Sequence, residues 1–324
     1  MRSRGPLLRG ALLRIESMVV IVVVTVAAAL GCRKHESPPP QPSDEPAARR
    51  IGIALGEPID GLDAELRAAA RERAIDLDIV SAHGFAAVQI AQVSQLLEKR
   101  VAALLLGPVA PDTLEQARAA ASARQIPLIG LLRGDGKSGS WVGIGSATLA
   151  RAAGERAGAS LRMEGGARPR VVVVEDSRWP ETTRRVEATL EGLESKCGGI
   201  DLPLRKRMDA TPADSIAALV ESLARLGHVD VLVAGDRFTT EVAIEGAARS
   251  RLKETLLVVG ATDDCKAIEA ARASSSRLLL VAWKREDLVR TLLDAATSAA
   301  TDPTAEIRRE VACELVGGGI AIPK

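Results

Sequence analysis

Short apolar runs alternate with amphipathic stretches along most of this 324-residue chain, and that alternation sets its fold class. Residues 51–55, 77–80, 101–106, 126–132 and 141–144 are strand-like. Helix-like stretches at 61–73, 86–100, 111–124 and 148–161 separate or follow them. In residues 86–100, Ile90, Val93 and Leu97 recur at spacings of three and four, one face of a helix. Residues 101–106 are continuously apolar, as in a strand buried on both faces. Pro111 stands in the first turn of its helix, where a missing N–H is tolerated. A second series begins at 170–174 and runs through strands at 202–206, 229–234, 255–259 and 278–282. Its helices are 180–194, 213–226, 239–249, 265–272 and 285–299, and a last strand lies near 311–316. Strands and helices in strict alternation imply parallel sheets covered by helices on both faces. Two such series imply two similar α/β lobes of the Rossmann type. In open parallel sheets ligands bind beyond the carboxyl ends of the strands. The residues directly after each apolar run are therefore the informative ones.

The first 48 residues break the pattern. Arg2, Arg4, Arg9 and Arg14 form a basic start, and residues 18–30 are apolar without a charge. Thirteen residues are short of the roughly 20 that span a bilayer, and suit the core of a secretory signal. Ala29-Leu30-Gly31-Cys32 follows and resembles the lipobox of bacterial lipoproteins, which makes Cys32 the expected lipidation site. A plain signal anchor with an incidental cysteine is the other reading. Residues 32–48 carry Pro38, Pro39, Pro40, Pro42 and Pro46 and read as an extended tether. Residues 1–31 are thus expected to be a leader, and the body to be exported and membrane-attached.

Composition excludes several functions. The formal net charge is +1, against the basic surplus of a general nucleic-acid binder. No helix-turn-helix precedes the body. Cys197, Cys265 and Cys313 are the body's cysteines; an odd number leaves at least one thiol unpaired, and one bridge is possible in an oxidising compartment. No cysteine or histidine pair has metal-ligand spacing, so neither a metal nor a cofactor is expected. Gly134-Asp-Gly-Lys-Ser138 has the tail of a phosphate loop, but Leu131 stands where the first glycine belongs. His83 follows a strand end, and Arg205-Lys206-Arg207 reads as a solvated strand end. Asp263-Asp264 suits the N-cap of the helix 265–272.

The stretch from Gln92 to Leu114, QVSQLLEKRVAALLLGPVAPDTL, combines a helix, a strand and a Pro-Val-x-Pro turn. With the run from Ala119 to Arg133 and the segment Val142-Gly-Ile-Gly-Ser146, it resembles the type 1 periplasmic binding proteins, near the ribose-binding and lactose-repressor effector-domain branch. The resemblance covers nearly all of 49–324. It implies two lobes joined by three hinge crossovers, placed near Ser146, Trp283 and Arg308. The amino-terminal lobe would be 49–146 plus 284–307, and the carboxyl-terminal lobe 147–283 plus 308–324.

The same resemblance places ligand-binding positions. Arg133 keeps the arginine of an Asp-Arg pair whose Asp is replaced by Leu132. Arg184, or its neighbour Arg185, matches a ligand-binding arginine of the second lobe. Asp236 stands in an Asn-Asp position, Asp263 near a second Asp position, and Trp283 at the hinge where Gln is common. Asp60 occupies the turn after the first strand, where phenylalanines are usual, and Trp179 lies in the loop after Val174. The chain has three Trp, two Phe and no Tyr or Asn, few of the aromatic faces and amide forks that usually grip sugars. Arginine binds carboxylate or phosphate through paired hydrogen bonds, so the expected ligand is small and polar, sugar-like or acidic. The alternative is that Arg133 and Arg184 pair with Asp60, Asp63, Asp236 or Asp263 across an empty cleft. The function implied is that of a lipid-anchored substrate-binding protein of an ABC-type importer, delivering its ligand to a membrane permease. An exported sensor that passes its closed state to a membrane receptor or kinase is the second class. No acid–base constellation points to an enzyme.

Overall fold

A computed structural model describes residues 50–132, 139–144, 147–161, 167–208, 212–252, 256–273 and 277–317. The leader, Cys32, the tether, Arg133, the segment 134–138 and the crossover expected at Ser146 lie outside the described residues.

The first series gives β1 (Arg50–Leu55), α1 (Leu62–Glu72), β2 (Asp76–Ser81), α2 (Ala86–Glu98), β3 (Ala103–Gly107), α3 (Pro111–Ser122), β4 (Leu128–Leu131) and β5 (Ser140–Ile144). The second gives α4 (Ala147–Ser160), β6 (Arg170–Glu175), α5 (Pro180–Cys197), β7 (Asp201–Arg207), α6 (Pro212–Leu226), β8 (Val231–Ala234), α7 (Arg237–Arg249), β9 (Leu257–Thr262), α8 (Cys265–Arg272) and β10 (Leu278–Trp283). Then come α9 (Arg285–Thr301), β11 (Arg308–Val311) and β12 (Cys313–Gly317).

These strands form two six-stranded sheets of matching order, β2-β1-β3-β4-β5-β11 and β7-β6-β8-β9-β10-β12. Every pairing is parallel except that of β12 with β10. The continuous apolar runs are explained by burial on both faces. In β6, Val171 and Val173 face one core while Val172 and Val174 face another, and all four are inaccessible. In β3, Ala103 and Leu105 point one way, Leu104 and Leu106 the other. Helix α9, although it follows β10 of the second sheet, packs on α1 and β3 of the first lobe. Helices α4 and α5 cover one face of the second sheet, α6 and α7 the other.

The crossover expected near Arg308 is displaced. Residues 308–311 pair in parallel with β5, Arg308 beside Trp141 and Val311 beside Ile144, so they belong to the first sheet. The chain returns to the second sheet only after Ala312, where β12 pairs with β10. Strand β11 carries one buried side chain, Val311, and two arginines and a glutamate, so its apolar signal is too weak to be seen apart from β12. Among the described residues no disulfide joins Cys197, Cys265 and Cys313.

Candidate ligand-binding site

Each sheet order reverses between its first and third strands, β1 with β3 and β6 with β8, and open parallel sheets bind ligands at such a reversal. On the first lobe, the Gly56 N–H donates to the Gly107 carbonyl at 2.6 Å. A Cβ on residue 56 would lie 2.9 Å from that oxygen, which is why a glycine follows the strand. Buried Gln89 of α2 holds the opposite loop: its Nε2 donates to Gly107 O at 2.8 Å, and its Oε1 accepts from Val109 N at 2.9 Å. Asp60 and His83 are exposed in the loops beside this scaffold.

The second lobe presents a carboxylate, a carboxylate and an indole at the ends of adjacent strands β8, β9 and β10. Asp236 caps α7: its Oδ1 accepts from Thr239 N at 2.8 Å and Thr239 Oγ1 at 2.9 Å. The other oxygen, Oδ2, is buried and has no hydrogen-bond partner among the described residues. Such an orphan acceptor is costly, and native proteins seldom keep one without reason. Asp263 follows β9 with its side chain 1% exposed, 3.0 Å from Arg237 Nε and 3.4 Å from Arg285 Nη2. The Arg237 N–H does not point at the carboxylate oxygen, so that contact is a charge pair rather than a hydrogen bond. Asp264, not Asp263, caps α8, its Oδ1 accepting from Lys266 N at 2.9 Å. Arg237 is also 2.9 Å from Glu241. Partial burial pushes the Glu241 carboxyl up, against the pull of Arg237 and with the help of Asp264 and Asp263. Trp283 ends β10 at 3% exposed, and its Nε1 has no acceptor among the described residues.

The remaining expected residues are placed differently. Trp179 begins α5 at 1% exposed, one of the largest interior side chains. Arg184 lies on the exposed face of α5. Arg185 turns inward: its Nε donates to Gly235 O and its Nη1 to Ile144 O, both at 2.9 Å. It borders a cavity of about 20 Å³ with Ala150, Gly235 and Gly260, room for a single water. Arg133 is outside the described residues, so its pairing is not assigned. Asp263 is paired with Arg237 and Arg285 instead of Arg184. The basic run near residue 205 is taken up structurally, since Arg205 holds Glu175 at 2.8 Å and Glu187 at 2.6 Å.

Arg237 and Arg285 were absent from the expected set. They stand three residues after the end of β8 and two after the end of β10, so closeness to a strand end is the signal that marks them. Asp176 and Arg178, joined by two contacts of 2.7 Å after β6, were missed in the same way. Among the described residues no group of histidines, cysteines or carboxylates is arranged to hold a metal, and no helix is long and apolar enough to cross a membrane.

A family model described as a periplasmic binding protein domain matches residues 59–303. No curated protein sequence matches the chain. Several solved structures share its fold. A Caulobacter myo-inositol binding protein bound to myo-inositol aligns with a TM-score of 0.71 at 16% identity, covering 84% of this chain and 94% of that one. A carbohydrate transporter solute binding protein from Agrobacterium radiobacter, in complex with D-arabinose, gives 0.69 at 16% identity over 84% and 95%. An ABC transporter solute binding protein from Mycobacterium smegmatis with bound glycerol gives 0.68 at 18% identity over 86% and 98%.

Proposed function

Because the chain belongs to the periplasmic binding protein family, whose model spans residues 59–303, we propose that it is the substrate-binding protein of an ABC-type importer and takes a neutral polyhydroxy ligand between its lobes. The matched family is one of binding proteins, so no bond is made or broken in this reading. The observation that carries it is the unpartnered, buried Oδ2 of Asp236, with Asp263 and Trp283 at the two strand ends beyond it.

A carboxylate oxygen at a strand end needs a donor, and a sugar hydroxyl supplies one while its own oxygen accepts from a neighbour such as the Trp283 indole. Arg237 and Arg285 already face Asp263. An acidic ligand would meet Asp263 with its countercharges engaged and Asp236 with no ion pair among the described residues, which favours the sugar-like choice over the acidic one. Solved structures of the same fold hold arabinose, myo-inositol and glycerol, which supports the same class. In the proposed site Asp236, Asp263 and Trp283 form the second-lobe wall. Arg133, next after β4 in sequence, and Asp60 belong to the first-lobe wall, and Arg184 and Trp179 to the rim and floor near α5.

The leader, Cys32 and the proline-rich tether extend the proposal: the body is exported, anchored by lipid at Cys32, and hands its ligand to a permease. The binding test is a thermal-shift panel of pentoses, hexoses, inositols and sugar acids. A ligand at 100 times its dissociation constant stabilises the folded form by about 2.7 kcal/mol. A neutral polyol should raise the melting temperature of the native protein and leave that of Asp236→Asn unmoved. A sugar acid that outperforms every neutral sugar would overturn the assigned ligand class.

A further inference from the structure

We propose that a groove on the outer edge of the second sheet binds inorganic phosphate. This site is independent of the ligand site proposed between the lobes.

Strand β12 ends its sheet order: one side pairs with β10, and the other pairs with no strand among the described residues. A groove of about 350 Å³ lies along that open side, bounded by Arg156 of α4, Arg272 of α8 and the stretch of β12 from Glu314 to Gly317. Alternation along β12 turns Leu315 toward the core that α4 shares and Val316 toward the core that α8 shares. The groove therefore wraps the sheet edge and meets one arginine from each face. Strands β9 and β10 separate it from β8, whose end carries Asp236.

The two arginines differ in what they hold. Arg272 Nη2 donates to Glu314 Oε1 at 3.0 Å. Arg156 makes no ion pair or hydrogen bond among the described residues, and its Nε is buried without an acceptor. Its neighbour on the helix, Glu155, lies 3.6 Å from Arg151 instead. A guanidinium stripped of water on one side and given no carboxylate is a charge without compensation. With two cations against one carboxylate, the groove lining carries a surplus of one positive charge.

Glu314 selects the anion. Its Oε2 accepts nothing from the described residues, and it repels any anion made only of acceptors. Hydrogen phosphate brings negative oxygens for Arg156 and a P–OH that donates to Glu314. Sulfate and acetate have no such hydroxyl at neutral pH, and a phosphate monoester loses its own above a pH of about 6.

The test titrates sodium phosphate, sodium sulfate and glycerol 1-phosphate into the full chain in detergent at matched ionic strength, read by calorimetry and melting temperature. Phosphate should bind and raise the melting temperature more than either of the others. Arg156→Met keeps the stem and deletes the guanidinium, so it should weaken phosphate binding about tenfold or more. In phosphate-free buffer it should melt no lower than the parent, because the uncompensated charge is gone. Glu314→Gln removes the acceptor for the P–OH and should bring sulfate level with phosphate, which keeps the proposal testable if Arg156→Met does not fold. Equal binding of phosphate and sulfate by the parent, or phosphate affinity unchanged in Arg156→Met, would overturn the site. A sugar titration of Arg156→Met should match that of the parent, so a failure of the sugar reading leaves the phosphate result standing.

Discussion

Asp236 serves structure with one oxygen and is free to serve a ligand with the other. Oδ1 caps α7, and Oδ2 is the buried orphan. Replacing a capping Asp by Ala typically costs about 1 kcal/mol, up to about 2. Asp236→Ala should therefore lower stability by that amount in urea titrations and also lose ligand binding. Asp236→Asn keeps a side-chain oxygen for the cap, so it should lose binding with little change in the urea midpoint. Equal stability losses in the two variants would mean the cap is not what Oδ1 supports. The thiols make a second comparison. Burial, aided by Asp230, pushes the Cys197 thiol above its usual range, while Cys265 is exposed. A raised value leaves less thiolate at any pH below it, so Cys197 should alkylate more slowly than Cys265 at pH 8 and gain rate as the pH rises further. Mass-mapped labelling reads both rates. At this scale the sequence was half legible. Asp236, Asp263 and Trp283 stand where strand ends placed them, because a residue after an apolar run has nowhere to be but the sheet's edge. The partners of Asp263 were not legible: whether Arg133, Arg184, Arg237 or Arg285 reaches it depends on rotamers and lobe placement, which no spacing records.

Helices α4 and α5 cross so closely that glycines form the contact. A Cβ on Gly154 would stand 1.9 Å from Thr189 O, and one on Gly192 would stand 2.1 Å from Arg151 O. Both obstacles are backbone, so relief requires the helices to part. Overpacking of this kind typically costs about 1–3 kcal/mol. Gly154→Ala and Gly192→Ala should each lower stability by the upper part of that range. Gly198→Ala should cost less: its φ of 70° ends α5 in the left-handed region, but open space surrounds the added carbon. Chemical denaturation of the three variants would rank them, and a Gly198 variant worse than Gly154 would contradict the packing argument. Most elements were readable because a strand buried on both faces must be continuously apolar, and a helix lying on it must repeat every three to four residues. The stretch 308–317 was not, because β11 is an edge strand with solvent on one side. An edge needs few apolar side chains, so Arg308–Val311 went unseen as a strand, and one strand near 311–316 was expected where there are two.

The two lobes have one topology written twice, and two arginines, Arg185 and Arg285, touch both copies. Arg185 rises from α5 of the second lobe and donates to Ile144 O, the last carbonyl of β5 in the first, and to Gly235 O after β8. Both bonds are 2.9 Å, charge-assisted and half-buried, and they sit beside the cavity of about 20 Å³ at the base of the crevice. Hydrogen bonds to charged groups contribute roughly 1.5–3 kcal/mol each. Arg185→Met keeps the stem and deletes both, so it should lower stability by about 3 kcal/mol or more, with a clear loss of melting temperature. Arg285 Nη2 lies 3.4 Å from Asp263 Oδ2 beside the crossover, and the buried carboxylate keeps Arg237 at 3.0 Å as a second countercharge. Arg285→Gln therefore leaves Asp263 a cation and should lower the melting temperature less than Arg185→Met does. If Arg185→Met leaves the melting temperature untouched, the two bonds add nothing to the join between the lobes, and its strength must come from the apolar packing around them.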